Sequence, residues 1–299
     1  MQAHDREPAG PPTILIHAGA GALGAELREH GPEAIDTLHE VLAAAGRRLQ
    51  AGEEAAAVAT AAVEGMEDCG LFNAGYGAAL CSDGSVELSA ALMRGRDRAA
   101  GGVAGLRRVR HPIRAAALVL ETDQVLMIGE RADQLALAQG AEAWENAAFV
   151  TDRQRARLLS PPAVTEDRGT VGAVCLDAQG NLAAATSTGG INGQPPGRVG
   201  DSPLIGSGTW ADARVAISCT GDGEAFIRAG VARGIAARVA HGVPVEAAAQ
   251  EALDEVGGLG GTGGLIALDR GGRLALPFST EAMPRGIWRP GQTPDVRLD

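Results

Sequence analysis

The run Thr170-Val171-Gly172-Ala173-Val174-Cys175-Leu176 passes through the turn Asp177-Ala178-Gln179-Gly180-Asn181 into Leu182-Ala183-Ala184-Ala185, a hairpin apolar at nearly every strand position. A strand that offers apolar side chains on both faces needs cover on both faces. Residues 13–17, 86–93, 102–106 and 213–218 read as further strands, and residues 264–276 as a second hairpin. Helical spacing marks residues 32–49, 53–68, 112–121, 124–139 and 245–256, and one helix carrying the stripe Ile227, Val231, Ile235 and Val239. Two sets of strands, each with helix pairs beside it, predict two stacked sheets between helix layers, with both halves of the chain supplying one core.

Composition narrows the chemistry. With 299 residues, the chain can form one large sandwich, since such folds run past ~200 residues as a unit. Aromatic residues make up only 3 %, so Ala, Val and Leu must fill the core. A net charge of −11 argues against a nucleic-acid binder, which presents a basic face, and favours a small-molecule or peptide partner. All 26 basic residues are Arg. That removes Schiff-base lysine chemistry, a phosphate-loop lysine and a Ser-Lys amidase. Cys69, Cys81, Cys175 and Cys219 lack the paired spacing of a zinc site or redox dithiol, which points to a reduced, cytoplasmic protein. No apolar run reaches membrane length and residues 1–8 lack an export core, so neither a membrane nor an export route is expected.

Two local motifs invite chemistry. Gly19, Gly21 and Gly24 spell G-x-G-x-x-G after the first strand, but two Ala-rich helices follow without the second strand a dinucleotide site requires. The step Gly169-Thr170 sits at the mouth of the apolar hairpin, after a charged, Pro-bearing connector over residues 149–168. If that peptide bond is broken, the new α-amine of Thr170 becomes a base tethered beside its own hydroxyl, titrating near ~7.7–8.0. The plainer alternative is that Thr170 simply opens a strand, and the tetrapeptide alone favours it.

Seven segments in order carry a resemblance: Ile16-His17-Ala18-Gly19-Ala20-Gly21, Leu71-Phe72-Asn73-Ala74-Gly75, Gly169-Thr170-Val171-Gly172-Ala173-Val174, Ala185-Thr186-Ser187-Thr188-Gly189-Gly190, Gly197-Arg198-Val199-Gly200-Asp201-Ser202-Pro203, Thr220-Gly221 with Gly223-Glu224, and Gly263-Gly264-Leu265-Ile266-Ala267. Together they resemble the plant-type L-asparaginase, or isoaspartyl peptidase, family of N-terminal-nucleophile hydrolases. The resemblance implies a four-layer αββα sandwich of two mainly antiparallel sheets, in one domain that cuts itself into residues 1–169 and 170–299. Residues 1–12 are expected to be disordered and residues 150–169 to form an exposed linker.

By the same resemblance Thr170 is the nucleophile, Thr188 tunes its amine, Thr220 and Gly221 border the acyl site and hold the oxyanion, and Asn73 positions the threonine. Arg198 and Asp201 match the pair that binds a substrate's α-carboxylate and α-amine, which suits a guanidinium fork and a carboxylate three residues away. No cofactor is implied for catalysis. A structural sodium ion is implied, on the backbone carbonyls of Met66, Glu67, Cys69, Phe72, Ala74 and Tyr76, as is a homodimer of processed units. Ala18, Ser89 and Asp222 depart from the family pattern, and the connector is short. Asp222 is expected to add negative charge near the zwitterion site. Two alternatives stand beside this reading: an unprocessed homologue acting as a binding module, and a glycosylasparaginase-like member of the superfamily.

Overall fold

The computed structural model describes residues 8–21, 30–160 and 169–299. Strand β1 (Thr13–His17) is followed by helices α1 (Gly31–Gln50) and α2 (Ala55–Asp68), then β2 (Leu88–Arg94), β3 (Ala100–Leu106), α3 (Pro112–Leu120), β4 (Leu126–Ile128), α4 (Gly129–Ala138) and α5 (Asp152–Leu159). The second half contributes β5 (Val171–Leu176), β6 (Leu182–Thr188), β7 (Thr209–Ala211), β8 (Val215–Gly221), α6 (Gly223–Ala229), α7 (Val231–Ala240), α8 (Val245–Gly258) and β9 (Gly263–Asp269). Strands β10 (Leu274–Ala275), β11 (Arg285–Trp288) and β12 (Asp295–Arg297) close the chain.

One sheet runs β12-β11-β1-β5-β6-β2-β3-β4 and the other β10-β9-β8-β7. All pairings among these strands are antiparallel except β3 with β4. Helices α1 to α3 cover the outer face of the large sheet, α7 and α8 that of the small one, and β5 and β6 stack on β8 across the seam. The result is an αββα sandwich. Helix α1 shows why its face is buried: Ala34, Leu38, Leu42, Ala45 and Leu49 recur at spacings of three and four, with Pro at its first turn and Arg47 and Arg48 at its last.

Alternation along the strands sorts the core in two. Ile14, Ile16, Val171, Ala173, Ala183 and Ala185 face the helices, whereas Leu15, Val174, Leu176 and Ala184 meet Ala216, Ile266 and Leu268 in the seam. Both faces of the central strands are therefore buried, as the apolar hairpin requires.

The structure corrects three expectations. Residues 126–128 form an edge strand on β3 rather than the start of a helix over 124–139, because pairing with Gly102 to Ala104 overrides a helical pattern. The expected single helix through Ile227 and Val239 breaks at Gly230, which adopts φ 60. The linker expected over 150–169 begins instead as helix α5, whose Thr151 side chain caps the amide of Gln154. Residues 161–168 lie outside the described residues. Within residues 1–12, the Gly10 amide donates to the Arg270 carbonyl at 2.8 Å, while residues 1–7 lie outside the described ones. Strands β7, β11 and β12 escape the sequence reading because each is only three or four residues long and lacks the apolar runs of the central strands. No helix among the described residues is long and apolar enough to cross a membrane.

Candidate active site

At one end of the seam the inward positions turn polar. His17 follows Leu15 on β1, Thr170 and Gly172 precede Val174 on β5, Thr186 and Thr188 follow Ala184 on β6, and Ser218 and Thr220 follow Ala216 on β8. A buried hydroxyl left without a partner costs about 1–3 kcal/mol, so these groups have to satisfy one another.

Thr170 is 6 % exposed, with the Gly169 peptide behind it. Its hydroxyl donates to Thr188 Oγ1 at 3.1 Å. Thr188 in turn donates to the Gly169 carbonyl at 3.2 Å and accepts the Gly190 amide at 3.0 Å. Asn73 Nδ2 donates to the same Gly169 carbonyl at 2.8 Å and to Gly190 O at 2.6 Å, while its Oδ1 accepts the Ala79 amide at 2.7 Å. The oxygen of the Gly169–Thr170 peptide thus sits between two directed donors, and the neighbouring hydroxyl shares one of them.

Gly19 backs this bond. It adopts φ 110, and a Cβ there would stand 3.0 Å from Gly169 Cα. From the sequence Gly19 belongs to a G-x-G-x-x-G motif and to the first of the seven resembling segments, without a role of its own; its signal was a glycine at the end of a buried strand, two residues after His17.

Gly169, Thr170, Thr188, Gly190, Arg198, Asp201 and Gly221 line one opening together with Ile191, Gly200 and Ser202. Asn73 and Thr220 do not line it: Asn73 reaches the peptide from behind, and Thr220 is wholly buried on β8 opposite Gly264. Arg198 is gripped by Glu224 through Nε and Nη2, both at 2.9 Å, and by Gln194 Oε1 at 3.3 Å. Glu224 and Gln194 were given no role from sequence. Asp201 is 4 % exposed, and its Oδ2 has no hydrogen-bond partner among the described residues. Burial pushes its carboxyl up to about 7, against the pull of Arg198 and with the help of Glu224.

The departures resolve as follows. Asp222 turns its carboxylate to the Thr262 amide at 2.8 Å and the Thr262 hydroxyl at 3.3 Å, so its charge is engaged there rather than added to the opening. Ser89 pairs across strands with Thr188, and the Ala18 amide donates to the Pro284 carbonyl.

The segment holding Met66, Glu67, Cys69, Phe72, Ala74 and Tyr76 leaves helix α2 and curls through Gly70, Gly75 and Gly77, all with positive φ. Within it the Tyr76 amide donates to Glu67 O at 2.9 Å and the Ala74 amide to Phe72 O at 3.0 Å. The Glu67 carboxyl is buried, which raises its pKa well above the usual range and favours its neutral form, against the pull of hydrogen bonds from Ser187 and from the Ile113 amide. The donor set is therefore one of neutral oxygens, which suits a hard, singly charged cation, and no cluster of three metal-binding side chains occurs among the described residues.

Comparison with known proteins yields one family and several relatives. A family model described as Asparaginase matches residues 10–298. An isoaspartyl peptidase of Salmonella typhimurium is 44 % identical, over 95 % of this chain and 97 % of that protein. The isoaspartyl peptidase of Escherichia coli is likewise 44 % identical, over 97 % and 96 %. A plant-type L-asparaginase of Pyrobaculum calidifontis is 40 % identical, over 94 % and 98 %.

Proposed function

The chain belongs to the asparaginase family, and from that premise we propose that it is a self-cleaving threonine amidohydrolase. It hydrolyses L-asparagine to aspartate and ammonia, and it removes N-terminal β-linked aspartyl residues from dipeptides. The observation that carries this reading is the Gly169 carbonyl held by Asn73 and Thr188, with the Thr170 hydroxyl donated to Thr188 alongside.

In maturation, Thr170 Oγ attacks the Gly169 carbonyl carbon and the hydroxyl proton passes by way of Thr188 to the departing Thr170 nitrogen. The C–N bond breaks, a C–O ester forms, and water then releases Gly169 as a carboxylate and restores the hydroxyl. Negative charge develops on the Gly169 oxygen, where Asn73 Nδ2 already points. Asn73→Ala is therefore expected to slow self-cleavage about 10²- to 10³-fold, the usual effect of deleting one such donor. Time-resolved denaturing gels after refolding measure it; cleavage at the wild-type rate would remove Asn73 from the mechanism.

In turnover, the freed α-amine of Thr170 accepts the Oγ proton and Oγ attacks the substrate's side-chain amide. The amine returns the proton to the leaving ammonia or peptide amine, and water clears the β-aspartyl ester. Thr220 and Gly221 hold the oxyanion of this second reaction. Arg198, its plane fixed by Glu224, takes the α-carboxylate, and Asp201 takes the α-ammonium.

The raised Asp201 carboxyl gives this site a pH signature. Because its pKa in the folded protein lies at about 7, the carboxyl is protonated below that value and offers an ammonium no counter-charge. KM for asparagine is thus expected to fall as pH rises from about 5.5 to about 8, and Asp201→Asn should flatten that dependence at a uniformly high KM. A wild-type KM constant over this range would contradict the assignment of Asp201.

A sodium ion on the carbonyls of Met66, Glu67, Cys69, Phe72, Ala74 and Tyr76 would brace the loop that carries Asn73; it supplies no chemistry to the reaction. A cytoplasmic homodimer of processed units completes the proposal.

A further inference from the structure

Beneath Thr170, in the seam between the sheets, side chains from four strands form an unbroken line of hydrogen bonds. His17 Nε2 lies 2.9 Å from Ser218 Oγ, which lies 2.8 Å from Thr186 Oγ1. Thr186 Oγ1 is 2.6 Å from Thr209 Oγ1, and Thr209 Oγ1 is 2.9 Å from the carbonyl oxygen of Ser202. All four side chains are wholly buried. The line starts under the strand that carries Thr170 and ends on the residue next to Asp201. A Cβ at position 172 would collide with both His17 Nε2 and Ser218 Oγ, so the glycine two residues after Thr170 is what lets the line pass.

Thr209 Oγ1 is placed to donate both to Thr186 Oγ1 and to the Ser202 carbonyl, with one proton shared between them, while Ser218 and Thr186 can each donate or accept. In the neutral ring of His17 one nitrogen carries the proton and the other is a lone pair. Burial drives the ring's pKa down to about 3, outweighing the Thr170 backbone, which favours the charged form. The ring is therefore neutral at any working pH.

A purely structural seam has no need of this line. Its other end is closed by Leu15, Val174, Leu176, Ile266 and Leu268, and Val at 186 and 209 with Ala at 218 would extend that packing without buried hydroxyls to satisfy.

We propose that His17, acting through Ser218, Thr186 and Thr209, is a positioning residue that holds the Thr170 strand and the Asp201 loop in one register, so that nucleophile and substrate ammonium site are set together. This rests on the roles given to Thr170 and Asp201 above.

Thr209→Val keeps the shape of the side chain and removes the link on the far side of the line from His17. It is expected to slow cleavage of the Gly169–Thr170 bond and to raise KM for asparagine, each by about fivefold or more, whereas Thr209→Ser, which keeps the hydroxyl, stays within about twofold of wild type. A residue of local importance only would change KM and leave cleavage untouched. Imidazole nitrogen shifts of the wild-type protein by NMR give an independent arm: one fixed neutral tautomer of His17 is expected throughout about pH 5 to 8, as for a ring held in a continuous line of hydrogen bonds. A ring that averages between tautomers, or a folded Thr209→Val that cleaves at the wild-type rate, overturns the proposal. If Thr209→Val does not fold, the fixed tautomer alone decides. If the wild type neither cleaves nor turns over, the catalytic reading fails, and the fixed tautomer still tests the line.

Discussion

Thr170→Ala is expected to remain one uncut chain and to lose turnover of asparagine and β-aspartyl dipeptides by on the order of 10⁴-fold or more, as when the nucleophile is removed from other covalent hydrolases. Both losses share a cause. In the proposed mechanism the hydroxyl that donates to Thr188 is the attacking atom in self-cleavage and again in catalysis, and the amine that serves as base does not exist until the first event has occurred. No other group described in the site substitutes for it: His17 is neutral, wholly buried and bonded to Ser218. Thr170→Ser, which keeps an attacking hydroxyl, should still cut itself. Denaturing gels and ammonia release check both variants, and a Thr170→Ala protein that cleaves and turns over would defeat the mechanism.

Arg198→Ala separates the two reactions. It is expected to lower kcat/KM about 10²- to 10³-fold, mainly through KM, because truncating one member of a hydrogen-bonded charge pair costs about 3–4 kcal/mol and leaves Asp201 and Glu224 facing each other without their cation. Self-cleavage should proceed, since the hydrogen bonds of Arg198 go to Glu224 and Gln194 and not to the Gly169 carbonyl. Steady-state kinetics on the cleaved variant measure the effect. An unchanged KM would assign the carboxylate to some other cation.

The layered architecture was legible in the sequence because its central strands are apolar on both faces, and in a chain this long that pattern has few other outcomes. Edges were less legible. Residues 126–128 carry a helical spacing and become a strand only because β3 offers them an edge, a long-range pairing with no local trace. The stripe through Ile227, Val231, Ile235 and Val239 fits one helix, and a single left-handed Gly230 divides it. Residues 152–159 lack a broad apolar face because α5 is anchored largely by polar bonds, Arg153 to the Gly70 carbonyl and the buried Gln154 to the Gly77 carbonyl, with Leu158 alone packed against the core.

At the site, Thr170, Asn73, Arg198 and Asp201 were named through the family resemblance that their local motifs carry, whereas the residues that hold them in place were not. Gly19 behind the peptide, Glu224 on Arg198, and the buried hydroxyls of Ser218, Thr186 and Thr209 declare themselves only once strands distant in sequence are stacked. Asp222 makes the converse point. Beside Thr220-Gly221 it reads as a charge in the site, and a backbone turn places its carboxylate on Thr262 instead.

The claim on which the rest depends is that the bond before Thr170 breaks by itself. Intact mass measurement of the purified protein under denaturing conditions tests it directly. The account predicts two species, one ending at Gly169 and one beginning Thr170-Val171-Gly172, with masses that sum to the uncut chain plus one water. A single uncut species, persisting under every condition in which asparagine or a β-aspartyl dipeptide is turned over, would contradict it.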